Sequence, residues 1–143
     1  MCVSYYSRLT KKEILNILKP VDGWFIGYKV FYQDGKPSQL SGSPLRYKVG
    51  VNCALDDAGH KLAKKPTIAN YKRNNHGIHV YLTKNLACEY TPDTKIIEVL
   101  CNVKNIIMSD YQQAALSSIR ILPTQWADFQ AQFTKEETTW NSN

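Results

Sequence analysis

The residues best able to do chemistry lie in one stretch, RNNHGIHVYLTKNLACEY, at residues 73–90. His76 and His79 stand three apart in it, ahead of a short apolar run. Histidine can act as a general base, a hydrogen-bond donor to a ligand or a metal ligand. On a strand, however, positions i and i+3 point to opposite faces, which separates the two imidazoles. The spacing therefore disfavours a shared metal ion, and we predict no metal site.

Thr83 stands between the apolar run and the segment KNLACEY, a position typical of a helix N-cap. The N-terminus of a helix attracts phosphate or carboxylate, because its backbone N–H groups and its dipole present positive charge. Lys72 and Arg73, just upstream, would add to that attraction. The alternative is that Thr83 only caps the helix and stabilises the fold.

These features predict a binding site for an anionic, nucleotide-like small molecule. Tyr28 joins the site because its strand, residues 24–32, carries aromatic side chains that could stack a base or a nicotinamide ring. The alternative for that strand is core packing, and for His79 it is a packed position in the core or at a sheet edge. The predicted ligand-binding residues are Lys72, Arg73, His76, His79, Tyr81, Thr83 and Tyr28.

Motifs of well-known enzymes and phosphate-binding loops are missing from the sequence. There is no G-x-G-x-x-G and no G-x-x-x-x-G-K-[ST], and no G-x-S-x-G nucleophile elbow. The acidic residues do not pair as those of glycosidases or nucleases do, and Asp56-Asp57 is typical of a turn. We therefore assign no catalytic residue and no cofactor, favour binding over catalysis, and leave open whether the chain is an enzyme.

The composition is that of one globular domain. The chain has 143 residues, of which 43% are hydrophobic and 21% charged. A domain of this size and composition can bury a hydrophobic core without added disulfides or metal ions. Its longest apolar runs, about five residues, are far shorter than a membrane helix requires. Its start lacks a signal-peptide pattern, so we expect a cytoplasmic protein with no membrane partner, in the host cytoplasm if it is viral. The four scattered cysteines predict free thiols.

The charge balance favours anionic partners. Eighteen basic residues against twelve acidic ones give a net charge of +6, which attracts nucleotides and phosphates. The basic residues are spread along the chain rather than gathered in a dense patch, which disfavours nucleic acid as the partner but leaves it open. A surplus of lysines kept for solubility is the equally simple interpretation.

Three helices are expected to frame the site. Thr10 and Glu13 have capping-box spacing at the start of the first helix, and Pro20 ends it. A short central helix follows Thr83. A last helix opens near Pro123, with aromatic residues at the spacing of one helix face, Trp126, Phe129 and Phe133.

Strands are predicted where aromatic and β-branched residues dominate, at residues 24–32, 45–55, 77–82, 95–103 and 117–122. The apolar run at 95–103 predicts a strand buried on both faces, whereas residues 112–122 could begin as a short helix. A turn is expected at Asp34-Gly35 and a long irregular loop at 56–75. The layout is α+β: a single domain at 1–133, with a mainly β core, N-terminal and C-terminal helices and one short central helix. A polar C-terminal tail, expected to fray, occupies 134–143.

Several short motifs resemble an uncharacterised domain family of bacteriophages, large DNA viruses and some bacteria. The matching segments read GYKV, DGK, YKVG, HGIHVYLT, KIIEV and IRIL, and they span about residues 24–122. Members often carry a cysteine before the glycine and histidine, where this chain has Asn75-His76. The family has no assigned reaction, so the resemblance implies a viral or phage setting and little chemistry.

The chain also resembles, more weakly, the ADP-ribosyltransferase fold, which grips NAD between split sheets. In that fold a His or Arg stands on a first strand, a hydroxyl and an aromatic group on a second, and a glutamate on a third. By this resemblance Lys29 would take the first role, Tyr81 with Thr83 and Tyr90 the second, and Glu98 the third. The resemblance predicts a cleft in which Tyr81 and Glu98 face each other, although the first strand here has neither His nor Arg.

These observations predict a small viral or phage accessory protein that binds an anionic, nucleotide-like small molecule without turning it over. Such binding could counter a host defence signal. One alternative is an ADP-ribosyltransferase-like enzyme acting on NAD. Another is a protein–protein interaction module that uses an exposed aromatic face, and a homo-oligomer is left open.

Overall fold

The structure, a computed structural model, describes residues 3–4, 6–31, 47–55, 60–62, 67–68, 77–89 and 95–141, with side chains up to residue 132. Seven antiparallel strands form one sheet in the order β2-β7-β4-β1-β3-β6-β5. The strands are β1 (Trp24–Phe31), β2 (Gly50–Cys53), β3 (Ile78–Tyr81), β4 (Lys95–Asn102), β5 (Ile106–Ser109), β6 (Gln113–Leu116) and β7 (Ser118–Ile121). The helices are α1 (Lys11–Leu18), α2 (Lys84–Cys88) and α3 (Pro123–Asn141), with a 3-10 turn at Val103–Asn105. The predicted α+β domain with a mainly β core is therefore confirmed.

The sheet curls on itself, because β6 and β7 are joined by Ser117 alone. Three strands lie between β6 and β7 in the sheet order, which in a flat sheet would separate them by about 19 Å. The two-residue step from Leu116 to Ser118 spans at most about 7 Å. One bent segment, residues 113–121, therefore supplies strands to both sides of the sheet. The backbone N–H of Ser117 donates to Asn105 O, and its own carbonyl accepts from Ala54 N.

The concave face of this curled sheet holds the main core. Side chains from the three central strands β4, β1 and β3 meet there, since alternate residues of a strand point to the same face. Helix α3 adds Phe129, whose ring lies 5.1 Å from that of Phe31, and α1 adds Ile14 and Leu18 at the margin. The largest members of this cluster in the sheet are Phe25, Phe31, Ile78, Ile97, Ile106, Leu116, Ile119 and Ile121.

The convex face is covered over only part of its area. Helix α2 packs Ala87 against Val30 and Tyr81, and Val3, close to the start of the chain, packs against Met108 and Ala115. Over β2, β7, β4 and β1 the same face is open. A row of register partners crosses it from Val51 through Arg120 and Leu100 to Ile26.

Helix α3 lies beside the start of β4, an inner strand of the sheet. Strand β4 pairs with β7 at Leu100, and near its start the side-chain amide of Gln132 replaces a neighbouring strand. Gln132 Nε2 donates to the carbonyl of Ile96 at 2.7 Å, and Gln132 Oε1 accepts from Ile96 N at 3.3 Å. One glutamine therefore satisfies both backbone groups of Ile96.

Replacing Gln132 by alanine should lower the free energy of unfolding by about 1–2 kcal/mol, because two hydrogen bonds to partly buried backbone groups are lost. Urea unfolding would measure the change. Gln132→Glu keeps an acceptor for Ile96 N but no donor for Ile96 O, so its loss should be intermediate. An alanine variant as stable as the wild type would show that the Gln132 contact adds nothing to the sheet.

Two sequence predictions about strands are wrong. Residues 113–116, which could begin as a short helix, form strand β6, because every position of β6 is buried between β3 and β5. Strand β4 is not buried on both faces, since Glu98 is exposed and Leu100 only half-buried on the convex face.

The final helix continues through Asn141, past the predicted start of a polar tail, and its Lys and Glu residues are good helix formers.

Other predictions fall partly outside the described residues. The turn at Asp34-Gly35 and most of the loop at 56–75 lie there. Cys53, Cys88 and Cys101 are free thiols, as predicted. No helix in the described part of the chain is long and apolar enough to cross a membrane.

Candidate functional site

Three polar side chains form a row across the convex face. Tyr81 on β3 is the register partner of Tyr28 on β1, and Tyr28 is in turn the partner of Glu98 on β4. Register partners in antiparallel strands point to the same face and lie about 5 Å apart. Along the row the side chains become more accessible, from buried Tyr81 through half-buried Tyr28 to exposed Glu98.

A groove of about 380 Å³ opens beside Glu98, at the end of this row. Helix α2 contributes Lys84, directly after the cap residue Thr83, and α3 contributes Gln125, Asp128 and Gln132. Ile96 and Phe129 form its apolar part. The groove exists because α3 lies along β4: its apolar side enters the core and its polar side faces this space.

The groove carries mixed charge, one lysine and two carboxylates. Partial burial raises the pKa of Tyr28 above its ordinary value, and the negative charge of Glu98 raises it further. Tyr28 therefore keeps its hydroxyl proton at neutral pH and can donate a hydrogen bond. The site thus offers a hydroxyl donor, an ammonium group and two carboxylate acceptors.

These groups suit a molecule that carries both hydroxyls and an anion. Carboxylates such as Glu98 and Asp128 accept hydrogen bonds from the hydroxyls of a ribose, as they do in dinucleotide-binding folds. The Lys84 ammonium can pair with a phosphate. Tyr28 adds an aromatic ring beside Glu98, and rings of this kind stack on nucleobases.

The predicted site residues divide into three groups. Tyr28 lies next to the groove, and Thr83 directly precedes Lys84. Tyr81 and His79 are packed on the convex face, where they are only 5% and 4% exposed. The remaining three residues lie outside the part of the chain that the structure describes, so their role stays a prediction: Lys72, Arg73 and His76.

His79 occupies a packed position opposite Ala115 on β6. Its burial and, to a smaller extent, the nearby charge of Lys29 lower the pKa of the imidazole from 6.5 to about 3. His79 is therefore neutral at physiological pH. A direct ligand contact would require the packing around His79 to open.

Thr83 caps helix α2 in the predicted way, since its Oγ1 accepts from Leu86 N at 3.2 Å. The helix has only five residues, Lys84–Cys88, so its dipole is small. Capping accounts for Thr83, and the positive charge beside it comes from the Lys84 side chain.

Lys29, the residue that the ADP-ribosyltransferase resemblance places on the first strand, points away from the groove. Its side chain lies on the concave face, where it is only 4% exposed. Its ammonium donates to the carbonyl of His79 at 2.8 Å and lies 5.4 Å from the centre of the Tyr47 ring. Tyr81 and Glu98 share the opposite, convex face and bracket Tyr28 there. Lys29 therefore does not converge with Tyr81 and Glu98, and Tyr90, which the resemblance also named, lies outside the described residues.

Sequence reasoning missed the residues that α3 brings to the groove, Gln125, Asp128 and Gln132. They alternate with Trp126 and Phe129, so the pattern marks them as the polar side of an amphipathic helix. Nothing in that pattern says that this side faces Glu98. Lys84 could have been found, because it follows the predicted cap residue directly.

Within the described residues, no three side chains of His, Cys, Asp or Glu come together as metal ligands would. The fold and the groove define a small α+β domain with a curled antiparallel sheet and a polar site where its last helix meets β4. No family model, no curated protein and no solved structure matches the chain.

Proposed function

We propose that this protein is a small accessory protein that binds an anionic, nucleotide-like small molecule without turning it over. The observation that carries the proposal is the groove in which Lys84, Glu98 and Asp128 meet beside Tyr28. A ribose would bond to the two carboxylates, a phosphate to Lys84, and the base would stack near Tyr28. Lys72, Arg73 and His76 would add to the phosphate contacts.

A viral or phage setting, and a role in sequestering a host defence signal in the host cytoplasm, rest on the sequence resemblance alone. The net charge of +6 supports an anionic ligand. We favour binding over catalysis for this groove. Among the described residues, those that line it include no histidine, cysteine or serine, and burial together with the charge of Glu98 raises the pKa of Tyr28.

A nucleotide panel would test the proposal by isothermal titration calorimetry and native mass spectrometry. We expect Glu98→Gln and Asp128→Asn each to weaken binding of AMP about tenfold, because charge-assisted hydrogen bonds to hydroxyls are lost. Both variants should affect deoxyribonucleotides less than ribonucleotides. Lys84→Ala should weaken AMP but leave adenosine nearly unchanged.

Glu89→Gln is the matched control, since Glu89 is an exposed carboxylate at the end of α2 that does not line the groove. The proposal fails if no nucleotide in the panel, NAD and cyclic nucleotides included, binds at millimolar concentration. It also fails if Glu89→Gln weakens binding as much as Glu98→Gln. Consumption of NAD that is lost in Glu98→Gln would replace the proposal with the ADP-ribosyltransferase-like alternative.

A second candidate function is favoured by the open part of the convex face. Val51 is 49% exposed and Ile26 is 39% exposed, and Arg120 lies over the Trp24 ring at 5.7 Å. Apolar and aromatic groups beside an arginine are typical of protein interfaces. This surface would bind a protein partner or a second copy of the chain, and Val51→Glu with Ile26→Glu would abolish that association while leaving nucleotide binding intact.

A further inference from the structure

A second cavity, of about 460 Å³, shares no lining residue with the groove. It lies between helix α1 and strand β5. The described residues that line it are eight apolar residues and two lysines. The apolar ones include Ile14 and Leu15 on α1 and Ile106 and Ile107 on β5, and the lysines are Lys11 and Lys104.

The position of α1 keeps this cavity open. The helix is anchored at its start, where Leu9 N donates to Ser109 O of β5 at 2.7 Å and Thr10 and Glu13 form the capping box. Beyond that start none of its residues is buried. Ile14 and Leu18 reach the margin of the core, and a cavity remains between the helix and β5.

Among the described residues that line the cavity, the charged ones are Lys11 and Lys104. Glu13, on the same helix, holds the backbone of Thr10 at 3.0 Å, and that bond lowers the pKa of its carboxyl. The Glu13 carboxylate thus takes part in the cap of α1, and Glu13 does not line the cavity. An apolar space with cationic side chains complements a molecule with an apolar body and an anionic end.

We propose that this cavity binds a free medium-chain fatty carboxylate. The alkyl chain would lie between Leu15 and Ile107, where each buried methylene adds to affinity. The carboxylate would be held by Lys11 and Lys104. The volume falls in the range of roughly 300–1,000 Å³ that is typical of small-molecule sites.

Calorimetric titration with octanoate, decanoate, dodecanoate and uncharged dodecanol tests this assignment, with the carboxylates kept below their micelle concentrations and dodecanol below its solubility limit. Affinity should rise about tenfold for every two methylenes added. Dodecanoate should bind more tightly than dodecanol, and the difference should shrink as salt screens the lysines. In Lys11→Gln/Lys104→Gln the two ligands should bind equally well.

Two variants of α1 separate the cavity from the rest of the helix. Leu15→Glu places a carboxylate in the cavity and should abolish binding of both ligands. Ile17→Glu is its control, because Ile17 is as exposed as Leu15, 43% against 41%, but does not line the cavity. Both positions reach solvent, so both variants should fold.

Several results would overturn the assignment. One is the absence of dodecanoate binding, and another is equal binding of dodecanoate and dodecanol to the wild type. A third is loss of dodecanoate binding in Ile17→Glu. A fourth is binding of dodecanoate only when it is incorporated in vesicles. Glu98→Gln should leave dodecanoate binding unchanged, so the result is independent of the groove.

Discussion

Replacing Lys29 by methionine should make the protein more stable at pH 6. Lys29 is almost completely buried, and burial lowers its pKa from 10.5 to about 7. At pH 6 the buried ammonium is still charged, which costs up to about 5 kcal/mol relative to the unfolded chain. Methionine has a similar shape and no charge. Loss of the hydrogen bond to the His79 carbonyl offsets part of this stabilisation, so the free energy of unfolding should increase by about 3 kcal/mol.

The effect of the Lys29→Met substitution should depend on pH in a definite direction. Between the folded pKa near 7 and the unfolded value of 10.5, the unfolded chain binds more protons at Lys29 than the folded one. The free energy of unfolding of the wild type therefore rises with pH across that window. The advantage of the methionine variant should be complete below pH 7 and almost gone by pH 9.5.

Two other buried groups shape the wild-type profile. His79 has a folded pKa near 3 against 6.5 unfolded, so its stabilising effect is complete above pH 6.5 and is lost as the pH falls towards 3. Burial raises the pKa of Cys101 from 9.0 to about 12, which lowers stability above pH 9. Together with Lys29, these groups predict a rise in stability from pH 3 to pH 9, little change from pH 9 to 10.5, where the effects of Lys29 and Cys101 oppose each other, and a fall at higher pH.

Urea unfolding at half-unit pH intervals from 5 to 9.5 would measure both effects of Lys29→Met. In the variant, the rise above pH 7 should disappear while the rise at lower pH remains. Lys12→Met, at an exposed lysine of α1, is the control and should change stability by less than about 0.5 kcal/mol. A Lys29→Met protein that is less stable than the wild type at pH 6 would show that the contacts of the ammonium outweigh its burial.

Substitution of Gly27 by alanine should destabilise the protein by about 3 kcal/mol, because overpacking a tight core displaces its neighbours. A Cβ atom at position 27 would lie 2.8 Å from Cγ2 of Val80 and 2.9 Å from Sγ of Cys101. These neighbours sit on β3 and β4, the two strands that flank β1. Because both are buried and the sheet curls around them, neither can give way easily.

A double-mutant cycle would test this steric origin. Val80→Ala removes the closest atom, so Gly27→Ala should cost less in that background, and the difference is the coupling between the two sites. Gly50→Ala is the comparison: Gly50 has a φ of +101°, and a Cβ atom added there would meet no described atom within 4 Å. Its cost therefore comes from the backbone and should not couple to Val80. The explanation is wrong if Gly27→Ala is tolerated or shows no coupling.

Local sequence signals determined the helices and several strands. The capping box of Thr10 and Glu13 starts α1 as predicted, and Thr83 caps α2. The aromatic segment that begins at Trp24 forms β1, and it ends within one residue of the predicted end. Signals of this kind act within a few residues of the chain, so they can be recognised without knowledge of the fold.

Part of the candidate site was also available from the sequence. Tyr28 was singled out by its aromatic strand and Glu98 by the ADP-ribosyltransferase resemblance, and the structure makes them register partners. The face on which a residue lies was harder to predict. Lys29 and Tyr28 are neighbours in a strand and therefore point to opposite faces, but the sequence does not say which of the two faces is enclosed.

The tertiary structure alone decided the closure of the sheet and the composition of the groove. The sequence of residues 113–121 predicted part helix and part strand. In the structure it forms two strands, because each half pairs with a strand that is distant in the sequence. Asp128 lines the groove with Glu98 because α3 lies along β4, where Gln132 bonds to Ile96. Lys84 lines it because α2 packs on Val30 and Tyr81. The sequence by itself determined which segments are helical or extended and which sides are apolar, since these follow from local backbone preference and periodicity. Which polar sides meet depends on long-range pairing and packing, and no local pattern encodes that.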